Sequence, residues 1–191
     1  LFNFFGLMVS GLGQILLKVL PGLKYGLAKF PASNLPKARK GVDRVCSKVL
    51  AGLPVQRVNC DGVSAELIQS PEMAEKTGRS VILYLHGGAY VFGSAVMYRE
   101  FTTRISRMTT SDVLCPDYRL APEHPFPCAL RDSLSTYRWL LEELDVPASS
   151  VVFAGDSAGG NLVAATLLSL HESKCSFLIQ LVLCCSPLGW I

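Results

Sequence analysis

The chain has 191 residues, of which 50% are hydrophobic and 17% charged, and its formal net charge is +3. That length and balance suit one globular α/β domain with a buried core, on the apolar side of normal. The weak positive charge, with no basic run and no interleaving of aromatic and basic residues, argues against a nucleic-acid partner. The seven cysteines, Cys46, Cys60, Cys115, Cys128, Cys175, Cys184 and Cys185, are odd in number and irregularly spaced. Without a C-x-x-C pair they do not read as a zinc framework, and no metal is expected. Several lie in apolar stretches as small hydrophobes, which fits a reduced compartment; a lumenal chain with one or two bridges stays open. The chain begins with leucine, as a piece of a longer protein would.

Residues 1–17 carry no charge, and Lys18, Pro21 and Gly22 then interrupt the pattern. As a helix the run would span roughly 26 Å, short of the roughly 30 Å hydrocarbon core of a bilayer. Without a basic leader it fits a signal peptide poorly. Three readings stay open: a membrane anchor, an interfacial segment, or an apolar cap helix over a pocket. In the first two, Lys18, Lys24 and Lys29 meet anionic lipid; in the third they solvate the cap's outer face. Cytoplasmic and membrane-associated locations both remain. Pro31 to Arg39 reads as a linker. The organisation expected is an N-terminal apolar cap or anchor with linker over residues 1–50 and an α/β domain over 51–191.

From Val55 strands and helices alternate. Val55 to Cys60 and Ala65 to Gln69 read as strands turned by Asp61-Gly62. Pro71 to Arg79 is polar loop. Val81 to Leu85 is a buried strand ending at His86-Gly87-Gly88. Met97 to Met108 has helical spacing at Phe101, Ile105 and Met108. Val113 to Cys115 is a short strand, followed by a proline-rich loop from Pro116 to Pro127. Cys128 to Leu144 reads as a helix, Val151 to Ala154 as a strand, Asn161 to Leu170 as a helix and Phe177 to Cys185 as a further strand. The alternation implies a mostly parallel sheet covered on both faces.

The chemistry concentrates in Gly155-Asp156-Ser157-Ala158-Gly159-Gly160. It contains G-x-S-x-G, follows a strand and opens a helix, which is the context of a nucleophile elbow. Small neighbours suit a serine in a strained position. The helix N-terminus directs free N–H groups and the positive end of its dipole at the site, so the Ala158 amide is the natural first oxyanion donor. Alone the pattern also arises by chance. The second element, His86-Gly87-Gly88-Ala89-Tyr90 directly after a strand, occupies the position of the second oxyanion donor. Gly88 and Ala89 are the candidate donors, Gly87 shapes the turn, and His86 braces it through its ring nitrogens.

These two blocks, together with Asp117-Tyr118-Arg119-Leu120-Ala121-Pro122-Glu123-His124-Pro125-Phe126-Pro127, resemble the hormone-sensitive-lipase group of α/β-hydrolases, over roughly Val55 to the chain's end. The resemblance implies an α/β-hydrolase fold and a carboxylesterase or lipase-like acyl hydrolase, with Ser157 as nucleophile, Gly88, Ala89 and Ala158 as oxyanion donors, and Asp156 in support. Many members have glycine where Ala89 stands; a backbone donor survives if φ and ψ permit. Asp117, Arg119 and Glu123 are expected to hold loops rather than react. No cofactor is implied, and the partner would be a small-molecule or lipid ester; nothing bears on oligomeric state.

The family's order is serine, acid, histidine, yet the chain runs only 34 residues past Ser157. His86 belongs to the oxyanion turn, and His124 sits in a rigid loop. His171 is fourteen residues along the helix, roughly 21 Å away at the helical rise. The expectation is a fragment with nucleophile and oxyanion hole but without the triad acid and base. Its final sheet strands would be missing, and Phe177 to Cys185 would form an exposed apolar edge. The competing reading is a non-catalytic binder of a small hydrophobic ligand on the same fold.

Overall fold

A computed structural model describes residues 32–70, 80–173 and 181–184. The expectations for residues 1–30, for the loop at 71–79, and for residues 177–180 and 185 of the last strand lie outside these. The chain divides into two compact units, Leu1–Gly52 and Leu53–Ile191.

In the first unit a 3-10 turn at Ala32–Asn34 leads into helix α1, Leu35–Val49. This corrects the linker expected at Pro31 to Arg39. Pro36 stands in the first turn of the helix, where an amide N–H has no intrahelical partner and the fixed φ of proline already matches the helix. The proline starts the helix instead of breaking it. Leu35, Val42 and Cys46, spaced seven and four apart, form its buried stripe.

The second unit opens with a hairpin. Strand β1, Gln56–Cys60, pairs antiparallel with β2, Val63–Ile68. Asp61 and Gly62 turn it with φ of 51° and 89°, the pair of positive values that a two-residue hairpin turn matched to strand twist requires. The side-chain oxygen of Asn59 accepts the Gly62 N–H at 2.7 Å and locks the turn. There follow β3, Val81–Leu85; α2, Ala95–Thr109; β4, Asp112–Pro116; α3, Cys128–Glu142; a 3-10 turn at Ala148–Ser150; β5, Val151–Asp156; α4, Ala158–Glu172; and β6, Leu181–Cys184. Boundaries differ from the sequence reading by a few residues at most of these elements, because pairing and capping decide them. At α2, for example, the Ser94 hydroxyl accepts from Met97 N, and an Asp117 carboxylate oxygen accepts from Ala95 N at 2.6 Å.

Among the described residues the sheet has six strands in the order β1-β2-β4-β3-β5-β6. β2 meets β4 antiparallel, and β4, β3, β5 and β6 run parallel. Alternation along β3 separates two cores. Val81, Leu83 and Leu85 face one side, with Tyr137 and Leu140 of α3 and Leu162, Val163 and Leu167 of α4. Ile82 and Tyr84 face the other, with Ala95, Tyr98, Phe101 and Ile105 of α2. Fully buried side chains such as Leu83 and Phe153 each contribute roughly 1.5–3 kcal/mol by leaving water. The parallel pairing of β3 with β5, Leu85 opposite Gly155, brings the ends of both strands to one edge of the sheet. The two sequence motifs leave the sheet at that edge.

Candidate active site

Ser157 sits between β5 and α4 with φ 50° and ψ −119°. This is sparsely populated backbone for a residue with a side chain, and it persists only where the surroundings over-determine it. Here they do. The chain after Ser157 turns so sharply that α4 runs back against β3. A Cβ on Gly159 would collide with the Leu85 carbonyl oxygen and lie 2.6 Å from that of His86. Ser157 is exposed, and its side chain makes no cap hydrogen bond to α4. The Ala158 N–H is among the unpaired donors that begin the helix.

The turn after β3 is shaped by three successive positive φ values, 120° at Gly88, 54° at Ala89 and 61° at Tyr90. Gly88 is required, since a Cβ there would strike the Phe92 carbonyl oxygen. Its own carbonyl accepts from Val91 N and Phe92 N at 3.0 and 2.9 Å. Ala89 occupies the left-handed region, which costs an L-residue roughly 1–2 kcal/mol. The φ that a glycine would supply is therefore kept by an alanine.

Asp156 ties the elbow to this turn. One carboxylate oxygen accepts from the Gly87 N–H and the Tyr84 hydroxyl, both at 2.9 Å, and the other accepts from the Tyr98 hydroxyl at 2.9 Å. Burial first, and then the adjacent carboxylate, pushes the Tyr84 and Tyr98 phenols far above their ordinary range, so both remain donors. Sequence reasoning placed Asp156 in a supporting role but missed both tyrosines.

His86 is fully buried. Its Nδ1 lies 2.8 Å from the Gly87 carbonyl oxygen and must donate to it, since a carbonyl only accepts. Its Nε2 has no hydrogen-bond partner, so the ring braces through one nitrogen and not both. The ring also stacks on Tyr118, with centroids 4.2 Å apart, and lies tilted against Tyr98 at 5.6 Å. Tyr118 in turn donates to the His86 carbonyl at 2.6 Å. Desolvation pulls the imidazole down to about 4 and keeps it neutral. A second clamp joins the turn to α4, where the Tyr90 hydroxyl donates to the Asn161 side-chain oxygen at 2.6 Å. A cavity of about 230 Å³ opens beside it, walled by Tyr90, Asn161, Leu162, Ala165, Phe126 and Leu130.

In the proline-rich loop, Asp117 holds the start of α2, and Arg119 forms a two-pronged ion pair with Asp132 of α3 at 2.7–3.1 Å. His124 borders the cavity, and His171 lies in the last turn of α4, well along the helix from Ser157. Among the described residues no group of three or more His, Cys, Asp or Glu side chains is placed to hold a metal ion.

Residues 82–190 match the alpha/beta hydrolase fold family. The chain belongs to that family. Within it the chain falls in the hormone-sensitive-lipase group. It is 34% identical, with a TM-score of 0.65, to an esterase of the bacterial hormone-sensitive lipase family, covering 87% of this chain and 54% of that one. It is 37% identical, with a TM-score of 0.68, to an esterase/lipase from an uncultured bacterium, covering 89% and 55%. A carboxylesterase/phospholipase of Mycobacterium tuberculosis is 37% identical over 137 residues, 70% of this chain and 36% of that protein. An acetyl-hydrolase of Streptomyces hygroscopicus is 41% identical over 100 residues, 52% of this chain and 33% of that protein. This α/β-hydrolase chain thus spans about a third of these two curated relatives and about half of the solved ones.

Proposed function

We propose that this chain carries the nucleophile half of a serine carboxylic-ester hydrolase acting on small-molecule or lipid esters. The observation that carries the reading is the strained, exposed Ser157 at the head of α4, with its preceding residue bonded directly to the glycine turn. Ser157 attacks the ester carbonyl, and the N–H groups of Gly88, Ala89 and Ala158 take the charge that develops on oxygen. The alkoxide leaves with a proton from a histidine, and water then hydrolyses the acyl-serine by the same route in reverse. The esterase and lipase names of the relatives support the reading.

The triad acid and histidine belong, in this reading, to sequence beyond Ile191, because none of the three histidines of the chain stands where the family's base would. Intact message with a stop codon directly after Ile191 would sink that part. Residues 1–30 are proposed as a membrane-associating segment of the same protein. A variant without them that fractionates like the whole chain would refute it. Among the described residues no helix is long and apolar enough to cross a membrane.

A serine-reactive phosphonate tests the chemistry on the full-length protein. Labelling that Ser157→Ala abolishes is the expected result. Folded protein that resists labelling counts against the enzyme and favours the hydrophobic-ligand binder.

A further inference from the structure

Helix α1 carries a charge pattern that the hydrolase chemistry does not use. Lys37, Lys40, Arg44 and Lys48 are all exposed. At about 100° per residue they fall within an arc of roughly 80°. Leu35, Val42 and Cys46, the buried residues of the helix, fall on the opposite side of the wheel. The cations therefore form one row, roughly 16 Å long at the helical rise, turned away from the buried stripe. Asp43, the single acidic residue of the helix, lies outside the arc, and Arg39 lies on the far side, where it donates to the Leu35 carbonyl. A row that served only solubility would tolerate interspersed acids, as α2 does with its exposed Glu100–Arg104 pair.

We propose that this face of α1 is a docking surface for anionic lipid headgroups. Charge complementarity sets the partner's sign, and two further observations favour a membrane over a polynucleotide. The helix has no aromatic residue on which a base could stack. It also follows an uncharged run at residues 1–17 and the cations Lys18, Lys24 and Lys29, the order in which juxtamembrane basic segments follow apolar ones. The surface extends the membrane association proposed for residues 1–30 and is separable from it. Lys18, Lys24 and Lys29 add their own preference for anionic bilayers, so the α1 row is read as the affinity lost when its four cations alone are removed.

The experiment is co-sedimentation of the full chain with phosphatidylcholine vesicles and with vesicles containing phosphatidylserine, at two salt concentrations. The wild-type chain is expected to prefer the anionic vesicles and to lose that preference in high salt. Each near-surface cation strengthens partitioning about fivefold. The variant Lys37→Gln/Lys40→Gln/Arg44→Gln/Lys48→Gln is therefore expected to lose roughly 600-fold on anionic vesicles, with no change on neutral ones and no change in thermal midpoint. Lys37→Arg/Lys40→Arg/Lys48→Arg keeps the preference. A wild-type chain that binds both vesicles equally overturns the proposal even if residues 1–30 anchor it. So does a Gln variant that binds anionic vesicles as tightly as the parent, or tighter binding to single-stranded DNA than to anionic vesicles.

Discussion

The carboxylate of Asp156 accepts the backbone N–H of Gly87 at 2.9 Å, so the residue before Ser157 holds the glycine turn that follows β3. The two motifs are 69 residues apart in sequence and share one hydrogen bond, with Tyr84 and Tyr98 completing the carboxylate's donors. Asp156→Asn keeps the shape but replaces one accepting oxygen by an NH₂, so at least one of the three donors loses its acceptor. The expected cost is about 1–3 kcal/mol of stability for the mismatch. The reaction of Ser157 with a phosphonate is expected to slow by up to roughly 10²-fold, the lower end of what losing an oxyanion donor costs. Urea unfolding and labelling kinetics read the two effects separately. An unchanged labelling rate would show that Asp156 does not position the turn.

Two glycine-to-alanine substitutions should move in opposite directions. In Gly159→Ala the new methyl meets the Leu85 carbonyl at the end of β3 and the His86 carbonyl beside it. Backbone in a paired strand cannot yield cheaply, and the cost expected is about 1–3 kcal/mol or more. Gly41→Ala, within α1, meets nothing within 4 Å and relieves a helix of its glycine, for a gain of roughly 0.5–1 kcal/mol. Thermal midpoints of the two variants against the parent chain give both signs at once.

The parts of this fold legible in the sequence are those that depend on local pattern. The all-apolar run Val81 to Leu85 and the Asp61-Gly62 turn need only neighbours to be read. Pro36 misled because proline breaks a helix in its interior and starts one in its first turn, and local composition does not distinguish the two. Tyr84 and Tyr98 escaped notice because in a strand and a helix of apolar pattern they read as core aromatics. Their function appears only when the sheet brings β3 beside β5 and α2 against its face. The Ala89 substitution could be judged only with φ in hand, and that φ shows the glycine-like conformation kept.

His86 makes stability depend on pH. Its folded value is pulled down to about 4 from an ordinary 6.5. The unfolded chain therefore binds the proton more tightly than the folded one, and the neutral ring's stabilising contribution is complete above about 6.5. It falls as pH drops from there to about 4 and changes no further below. Integrated over that window the loss is on the order of 3 kcal/mol. Urea midpoints between pH 7 and 4 should fall more steeply for the parent than for His86→Gln. Parallel slopes would mean that His86 takes up its proton in the folded state as readily as in the unfolded one.

Glu66 of β2 is wholly buried and is held by Arg99 of α2, with Nε to one carboxylate oxygen at 2.8 Å and the terminal nitrogen to the other at 2.5 Å. Arg57, about half exposed, adds a contact at 3.0 Å. Removing one partner of such a pair strands a charge away from water, at a cost of roughly 3–5 kcal/mol. Arg99→Met should lose that much, with only partial relief from Arg57. Glu66→Gln in the Arg99→Met background should recover a large share, because the stranded charge is gone and a neutral amide can use the remaining donor. A double-mutant cycle by urea unfolding measures the coupling. Additive losses would show that the pair is a contact between independently solvated ions, whereas recovery identifies the buried carboxylate as the group that α2 is required to neutralise.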